Sequence, residues 1–185
     1  MRVKRKDTKK RILESALKLF SEKGIRETTI KDIAKEVGIT EGAIYRHFTS
    51  KDEIVRGLFG MYSEEFYDRL MLAFEEKTYR DKFYRAVEEF LSFCFENPEA
   101  FKYLDLFHYL RAEEVKEFKK LPKDAILKLL EEGRGVIKIR AELALAMFVG
   151  TLERVFLFTQ AGLLEKYKDI KGEVADLLWK ALTSQ

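Results

Sequence analysis

The sequence predicts an all-helical protein of about nine helices, with a three-helix N-terminal domain joined by one long helix to a second helical domain. Three observations predict it. Apolar residues recur at helical rather than alternating spacing along most of the chain. Helix starts are marked by boxes of the form Thr/Ser-x-x-Asp/Glu at Thr29–Asp32, Ser50–Glu53 and Thr78–Asp81. Helix stops are marked by Gly24, Gly38 and the pair Asn97-Pro98. The domains divide as residues 1–50 and 51–185, with no Pro- or Gly-rich linker between them.

The chain opens with a basic, patternless stretch, Met1 to Lys6, which reads either as a frayed terminus or as an arm laid on DNA phosphates or in a minor groove. Asp7 or Thr8 starts the first helix, whose Ile12, Leu13, Ala16, Leu17 and Phe20 form an apolar platform, and Gly24 stops it. Thr29 and Asp32 then cap a helix that turns Ile30, Ile33, Ala34 and Val37 inward, and Gly38 suits the left-handed position at its end. Thr40 caps the next helix, and Ile39 and Ile44 occupy the two positions of a hydrophobic staple. Ile44 and Phe48 anchor this helix from below, leaving Glu41, Gly42, Ala43, Tyr45, Arg46 and His47 as its outward surface.

Two short helices joined by a tight turn, the second polar at its leading end, match the helix-turn-helix. Gly42 costs a helix interior about 1 kcal/mol relative to Ala, yet it lets the leading end approach another surface closely. The charge distribution agrees with a polyanionic partner. Residues 1–50 hold 13 Lys/Arg against 7 Asp/Glu, whereas the remainder holds 22 against 25, so a net +3 conceals a basic N-terminal domain and an acidic remainder.

Ser50 and Glu53 open a long helix running to about Glu76, with Val55, Leu58, Phe59, Tyr62, Phe66, Leu70 and Phe74 on one broad face and a span of about 35 Å. Lys51 sits in its first turn, where helix geometry already favours phosphate, and is read as a phosphate contact in preference to an ordinary exposed charge.

The spacing of Phe20, Lys23 and Gly24, then Thr29, Ile33, Ala34 and Gly38, then Gly42, Tyr45, Phe48 and Lys51 resembles the signature of the tetracycline-repressor (TetR) family of transcriptional regulators. The resemblance is strong over roughly residues 8–60 and extends beyond them only as an all-helical layout. It implies a DNA-binding site at Thr29, Thr40, Glu41, Gly42, Ala43, Tyr45, Arg46, His47 and Lys51. Tyr45 and Lys51 would act on phosphates, and either Arg46 or His47 would reach base edges. Glu41 departs from the uncharged or basic residue of many relatives; a carboxylate there can accept from cytosine N4, cap the helix or repel DNA.

The second half reads as helices throughout. Phe83, Val87, Phe90, Leu91 and Cys94 follow the Thr78 cap; Phe101, Leu104, Phe107 and His108 line the helix after Pro98; Ile126, Leu127 and Leu130 follow Pro122. The segment GRGVIKI is an irregular connection in which Val136, Ile137 and Ile139 can form a short extended piece. From Ala141 to Ala161 the chain is apolar nearly all round, so it must bury more than one face. A last helix from about Asp169 adds a second stripe. The resemblance implies dimerisation through these two helices, with Gly150, Glu153, Arg154, Leu157, Val174 and Leu178 at the interface of a homodimer.

Of 24 aromatic residues, 21 lie beyond residue 50. By composition alone they are core; the resemblance implies an effector cavity among them. Its expected lining is Tyr62, Phe66, Phe90, Cys94, Tyr103, Phe107, His108, Phe148 and Thr151, suited to a bulky apolar small molecule, either acyl or aromatic. An enzymatic reading would pair Cys94 with His108 as nucleophile and base. Both fall in aromatic helical stripes, and with no phosphate loop and a weak metal set, no catalytic role and no cofactor are expected. One cysteine, no apolar leader and no long uncharged run predict a reduced cytoplasmic protein without membrane association. The high charge content with a single Asn and two Gln is a bias of thermophile proteins.

The expected function is a ligand-responsive repressor, dimeric on a palindromic double-stranded DNA operator. The competing expectation is a ligand-independent helix-turn-helix protein whose aromatic region is solid core.

Overall fold

The computed structural model describes residues 2–164 and 167–184, and among them it is helical with no strand. The helices are α1 (Arg2–Lys23), α2 (Ile30–Val37), α3 (Glu41–Ile44), α4 (Lys51–Met71), α5 (Tyr79–Glu96), α6 (Pro98–Leu110), α7 (Ala112–Val115), α8 (Pro122–Glu132), α9 (Ala141–Gln160) and α10 (Tyr167–Thr183). A 3-10 turn, Leu72–Glu75, follows α4.

Most boundaries are the ones that capping chemistry dictates. Gly24 takes φ 87° after α1, and Asn97 separates α5 from α6. One boundary differs: α1 already begins at Arg2, so the basic stretch read as patternless is helical from its second residue. Lys and Arg are strong helix formers, and no Gly or Pro interrupts residues 2–23. The 133–140 connection contains turns and no extended piece.

Packing divides the chain into two compact units. The first comprises Met1–Tyr62 with Glu99–Phe118, and the second Ser63–Pro98 with Lys119–Gln185. The sequence places a boundary at residue 50, but the start of α4 and the α6–α7 segment pack with the helix-turn-helix. In the first unit, Phe59 stacks on Phe107 at 4.2 Å between ring centroids and meets Phe118 edge-on at 4.8 Å. Arg111 Nη1 reaches Asp52 at 2.7 Å, and Arg56 pairs with Glu114 and Glu117 at 2.6 and 2.5 Å, so ion pairs fix the same helices together.

In the second unit α5 touches α8, α9 and α10. Phe83, Phe90, Phe93 and Cys94 are buried along its length, and Phe148 of α9 meets Phe83 and Phe90 edge-on. The buried carboxylate of Glu89 accepts from Arg69 Nε at 3.0 Å and pairs with Arg85 at 2.6 Å, which compensates its desolvation. Gly133 is required by close approach: a Cβ there would lie 2.0 Å from the Tyr79 hydroxyl oxygen.

Candidate nucleic-acid interface

The interface is built from the caps outward. The Thr29 hydroxyl accepts from the Asp32 amide at 3.1 Å while the Asp32 carboxylate accepts from the Thr29 amide at 2.9 Å, so α2 starts from a complete capping box. These bonds hold the Asp32 carboxyl below its ordinary range, the Thr29 amide contributing most. Gly38, at φ 77°, ends α2 in the left-handed conformation, and Arg11 donates to the Val37 carbonyl at 2.8 Å, tying that end to α1. Two residues later the Thr40 hydroxyl accepts from the Ala43 amide at 3.2 Å and starts α3.

This short helix has one buried side and one open side. Ile44 and, just past the helix, Phe48 are buried, and the Lys9 ammonium lies over the Phe48 ring at 5.1 Å. Glu41, Gly42, Tyr45 and Arg46 are exposed, Tyr45 to 53%, while Ala43 and His47 are half-exposed. A Cβ on Gly42 would meet only Thr40 Oγ1, at 3.9 Å, so nothing within the chain requires glycine there. Seven of the nine residues read from sequence as DNA-contacting lie on the stretch 40–47, and Thr29 lies apart at the start of α2; Thr29 and Thr40 also serve as caps.

Lys51 behaves differently. Its ammonium donates to the carbonyls of Ile25, Arg26 and Thr28 at 2.9, 3.1 and 3.0 Å, tying the start of α4 to the turn between α1 and α2. The second capping box also differs in detail. Ser50 accepts from the Glu53 amide at 3.1 Å, but the Glu53 carboxylate turns to the amide and hydroxyl of Thr49.

The residues read as lining an effector cavity divide between the two units. Tyr62, Tyr103 and Phe107 belong to the first unit; Phe66, Phe90, Cys94 and Phe148 belong to the second. His108 is exposed, because the buried face of α6 runs through Phe101, Leu104 and Phe107. Thr151 is exposed as well, at the flank of the buried stripe of Phe148 and Leu152 on α9. Tyr103 donates its hydroxyl to the Val55 carbonyl at 2.7 Å, and burial pushes its phenol above the usual range. In the second unit Phe66 stacks on Phe93 at 4.1 Å and 4°, and burial raises the Cys94 thiol, which disfavours its thiolate.

The residues read as dimer contacts also separate. Gly150, Arg154 and Leu157 border the outer side of α9, with Glu153 half-buried beside them. Val174 and Leu178 are only 8% and 3% exposed, since α10 turns them onto its own unit and leaves Leu177 outside. Beside Leu157, the outer side of α9 carries Leu143, Met147 and Phe158, which the sequence reading did not single out. Their signal was available: Ala144, Phe148, Leu152 and Phe156 recur every fourth residue and are buried, which leaves these four on the other side. An open groove of about 480 Å³ lies along it, bordered by Met147, Gly150, Thr151, Arg154 and Phe158. Among the described residues no helix is long and apolar enough to cross a membrane.

Residues 12–58 match the family described as bacterial regulatory proteins, tetR family. The HTH-type transcriptional repressor KstR2 of Rhodococcus jostii is 49% identical over 61 residues, covering 29% of this chain and 30% of that protein. The uncharacterised HTH-type transcriptional regulator YuxN of Bacillus subtilis is 35% identical over 92 residues, covering 50% of this chain and 31% of that protein. The chain spans about a third of the length of the curated relatives it matches. A TetR family transcription regulator from Marinobacter aquaeolei superposes with a TM-score of 0.89 over the whole of both chains at 19% identity. The transcriptional regulator FadR from Bacillus subtilis, solved in complex with stearoyl-CoA, gives 0.75 over 93% of this chain and 98% of that one at 21% identity. At these identities the likeness is one of fold.

Proposed function

We propose that this chain, whose residues 12–58 match the tetR family of bacterial regulatory proteins, regulates transcription as a dimeric repressor on a near-palindromic operator and is released by a bulky, mostly apolar molecule. The observation that carries the DNA-binding part is the open side of α3 and of the turn after it: Glu41 and Gly42 on the helix and Tyr45 and Arg46 just past it are exposed, while Ile44 and Phe48 are buried and the helix start is capped. Such a helix reads only a few base pairs, too little to specify a site in a genome, so a two-fold pair is required. The apolar outer side of α9, with Met147, Leu157 and Phe158 exposed, supports pairing through that helix.

Release by a ligand rests on the 21 aromatic residues beyond residue 50 and on α4, one continuous helix from Lys51 to Met71 that carries both Val55 and Phe66. A molecule wedged against Phe66 would displace a helix that begins immediately after the helix-turn-helix. Coupling of about 1–3 kcal/mol, a roughly 5- to 150-fold loss of operator affinity, is the usual scale of such an effect. The stearoyl-CoA bound by Bacillus subtilis FadR makes long acyl thioesters the first class to test, beside flat aromatic compounds.

A second reading, a ligand-independent helix-turn-helix protein, is favoured by one observation: Phe66, Phe90, Phe93 and Phe148 pack ring against ring with the geometry of a filled core. Titration of stearoyl-CoA and aromatic compounds against protein bound to a fluorescent duplex decides between them. Release supports the first reading. Binding without release, or no binding, supports the second, because a ligand of equal affinity for both states shifts no equilibrium.

A further inference from the structure

The first unit carries an open groove of about 260 Å³, lined by α1 and the turn after it on one side and by α6 on the other. Leu17, Phe20 and Tyr103 give it a buried apolar floor. The Phe20 and Tyr103 rings lie nearly parallel, at 16° and 6.3 Å between centroids, and the bond from the Tyr103 hydroxyl to the Val55 carbonyl fixes the second ring. Leu106 lines the same groove and is 45% exposed, so part of the apolar wall faces water. Two charged residues of α6 complete the lining, Glu99 and Lys102. Three positions apart on a helix, their Cβ atoms lie about 5–6 Å from each other. Among the described residues, neither side chain forms an ion pair or a hydrogen bond, with the other or with any third group.

We propose that this groove binds a free aromatic amino acid. An apolar cavity of about 150 Å³ already takes benzene, and the groove, at about 260 Å³, has room for one ring with a short polar head. The ring rests on Phe20 and Tyr103, where an aromatic partner gains more than its buried area alone supplies. The α-carboxylate meets the Lys102 ammonium, and the α-ammonium meets the Glu99 carboxylate. A zwitterion is the occupant whose two charges answer both charges of the lining. A simple aromatic acid sets its carboxylate beside Glu99, and a simple amine sets its ammonium beside Lys102, so each meets a like charge that the amino acid offsets. All the lining residues belong to the unit that holds the helix-turn-helix. The site is therefore distinct from the ligand release proposed around Phe66 of the second unit, and stands or falls without it.

The test uses the full chain and three ligands of one skeleton: L-phenylalanine, phenethylamine, which lacks the carboxylate, and 3-phenylpropionate, which lacks the ammonium. Each is titrated to about 10 mM, beyond the millimolar Kd expected of so small a ligand in an open groove, while backbone amide shifts are followed by NMR. Phenylalanine should give saturable shifts clustered in residues 17–25 and 99–106. It should bind wild type at least about threefold more tightly than either analogue, the scale of one solvent-exposed ion pair. Lys102→Met should weaken phenylalanine and 3-phenylpropionate and leave phenethylamine unchanged. Glu99→Gln should weaken phenylalanine and phenethylamine and leave 3-phenylpropionate unchanged. Both positions are exposed, and the three ligands on wild type decide by themselves if a variant misfolds. No saturable shifts, shifts centred outside those two segments, or an analogue that binds as tightly as phenylalanine would overturn the proposal. So would folded variants that affect all three ligands alike or none of them.

Discussion

The hydroxyl of Tyr103 donates to the carbonyl of Val55 at 2.7 Å, joining residues 48 positions apart in the chain. This bond marks α6 as part of the unit that holds the helix-turn-helix, together with the stacking of Phe59 on Phe107. Tyr103→Phe keeps the ring and removes only the donor. It should lower unfolding stability by about 1 kcal/mol, the usual net worth of one hydrogen bond, read as a shifted urea midpoint with unchanged slope.

Gly42→Ala should move stability and DNA affinity in opposite directions. A Cβ there meets nothing closer than Thr40 Oγ1 at 3.9 Å, so the helix gains up to about 1 kcal/mol of propensity at no steric cost. On DNA the same methyl stands between the leading end of α3 and the groove. Thermal melting and fluorescence anisotropy on the same preparation check both signs.

The capping boxes give the fold an acid limit. The Thr29 amide and hydroxyl hold the Asp32 carboxyl below its ordinary range, and the Thr49 amide and hydroxyl do the same for Glu53. A depressed native pKa means the stabilisation is complete above the unfolded carboxylate value and is lost as pH falls through the lowered native values. Asp32→Asn should therefore remove part of the acid dependence of unfolding while leaving the dependence near neutrality unchanged, as measured by urea unfolding at a series of pH values.

The two helices read as a dimer interface should respond differently to substitution. Leu157→Glu and Phe158→Glu place charge on the exposed side of α9 and should give a folded monomer by light scattering at micromolar concentration. Val174→Ala and Leu178→Ala remove buried apolar groups and should cost about 2–4 kcal/mol of stability for the leucine and less for the valine, without acting first on the oligomeric state.

Local rules made the N-terminal domain legible. Thr29, Asp32, Gly38 and Thr40 each announce their backbone role through a side chain or its absence, and the structure uses each accordingly. What the sequence could not reveal depends on contacts between distant residues. Nothing near Lys51 indicates that the carbonyls of Ile25, Arg26 and Thr28 will converge on it. Likewise, the resemblance placed His108 and Thr151 in a cavity lining and Val174 and Leu178 at an interface, whereas the first two are exposed and the last two are buried within the chain. A stripe of apolar spacing shows that a helix has a buried side, but only the packing of neighbours decides which core that side joins.

The central claim, that the open side of α3 reads DNA, is tested most directly by binding of wild type and of Tyr45→Ala and Arg46→Ala to duplexes selected from a random pool. The account predicts that selection yields a near-palindrome whose half-sites lie about one helical turn, roughly 34–36 Å, or a multiple of it apart. Arg46→Ala should lose at least about 1 kcal/mol on that duplex, and Tyr45→Ala should weaken binding to all duplexes alike. No enrichment of any sequence, or equal affinity of wild type and both variants for the selected duplex, would contradict it.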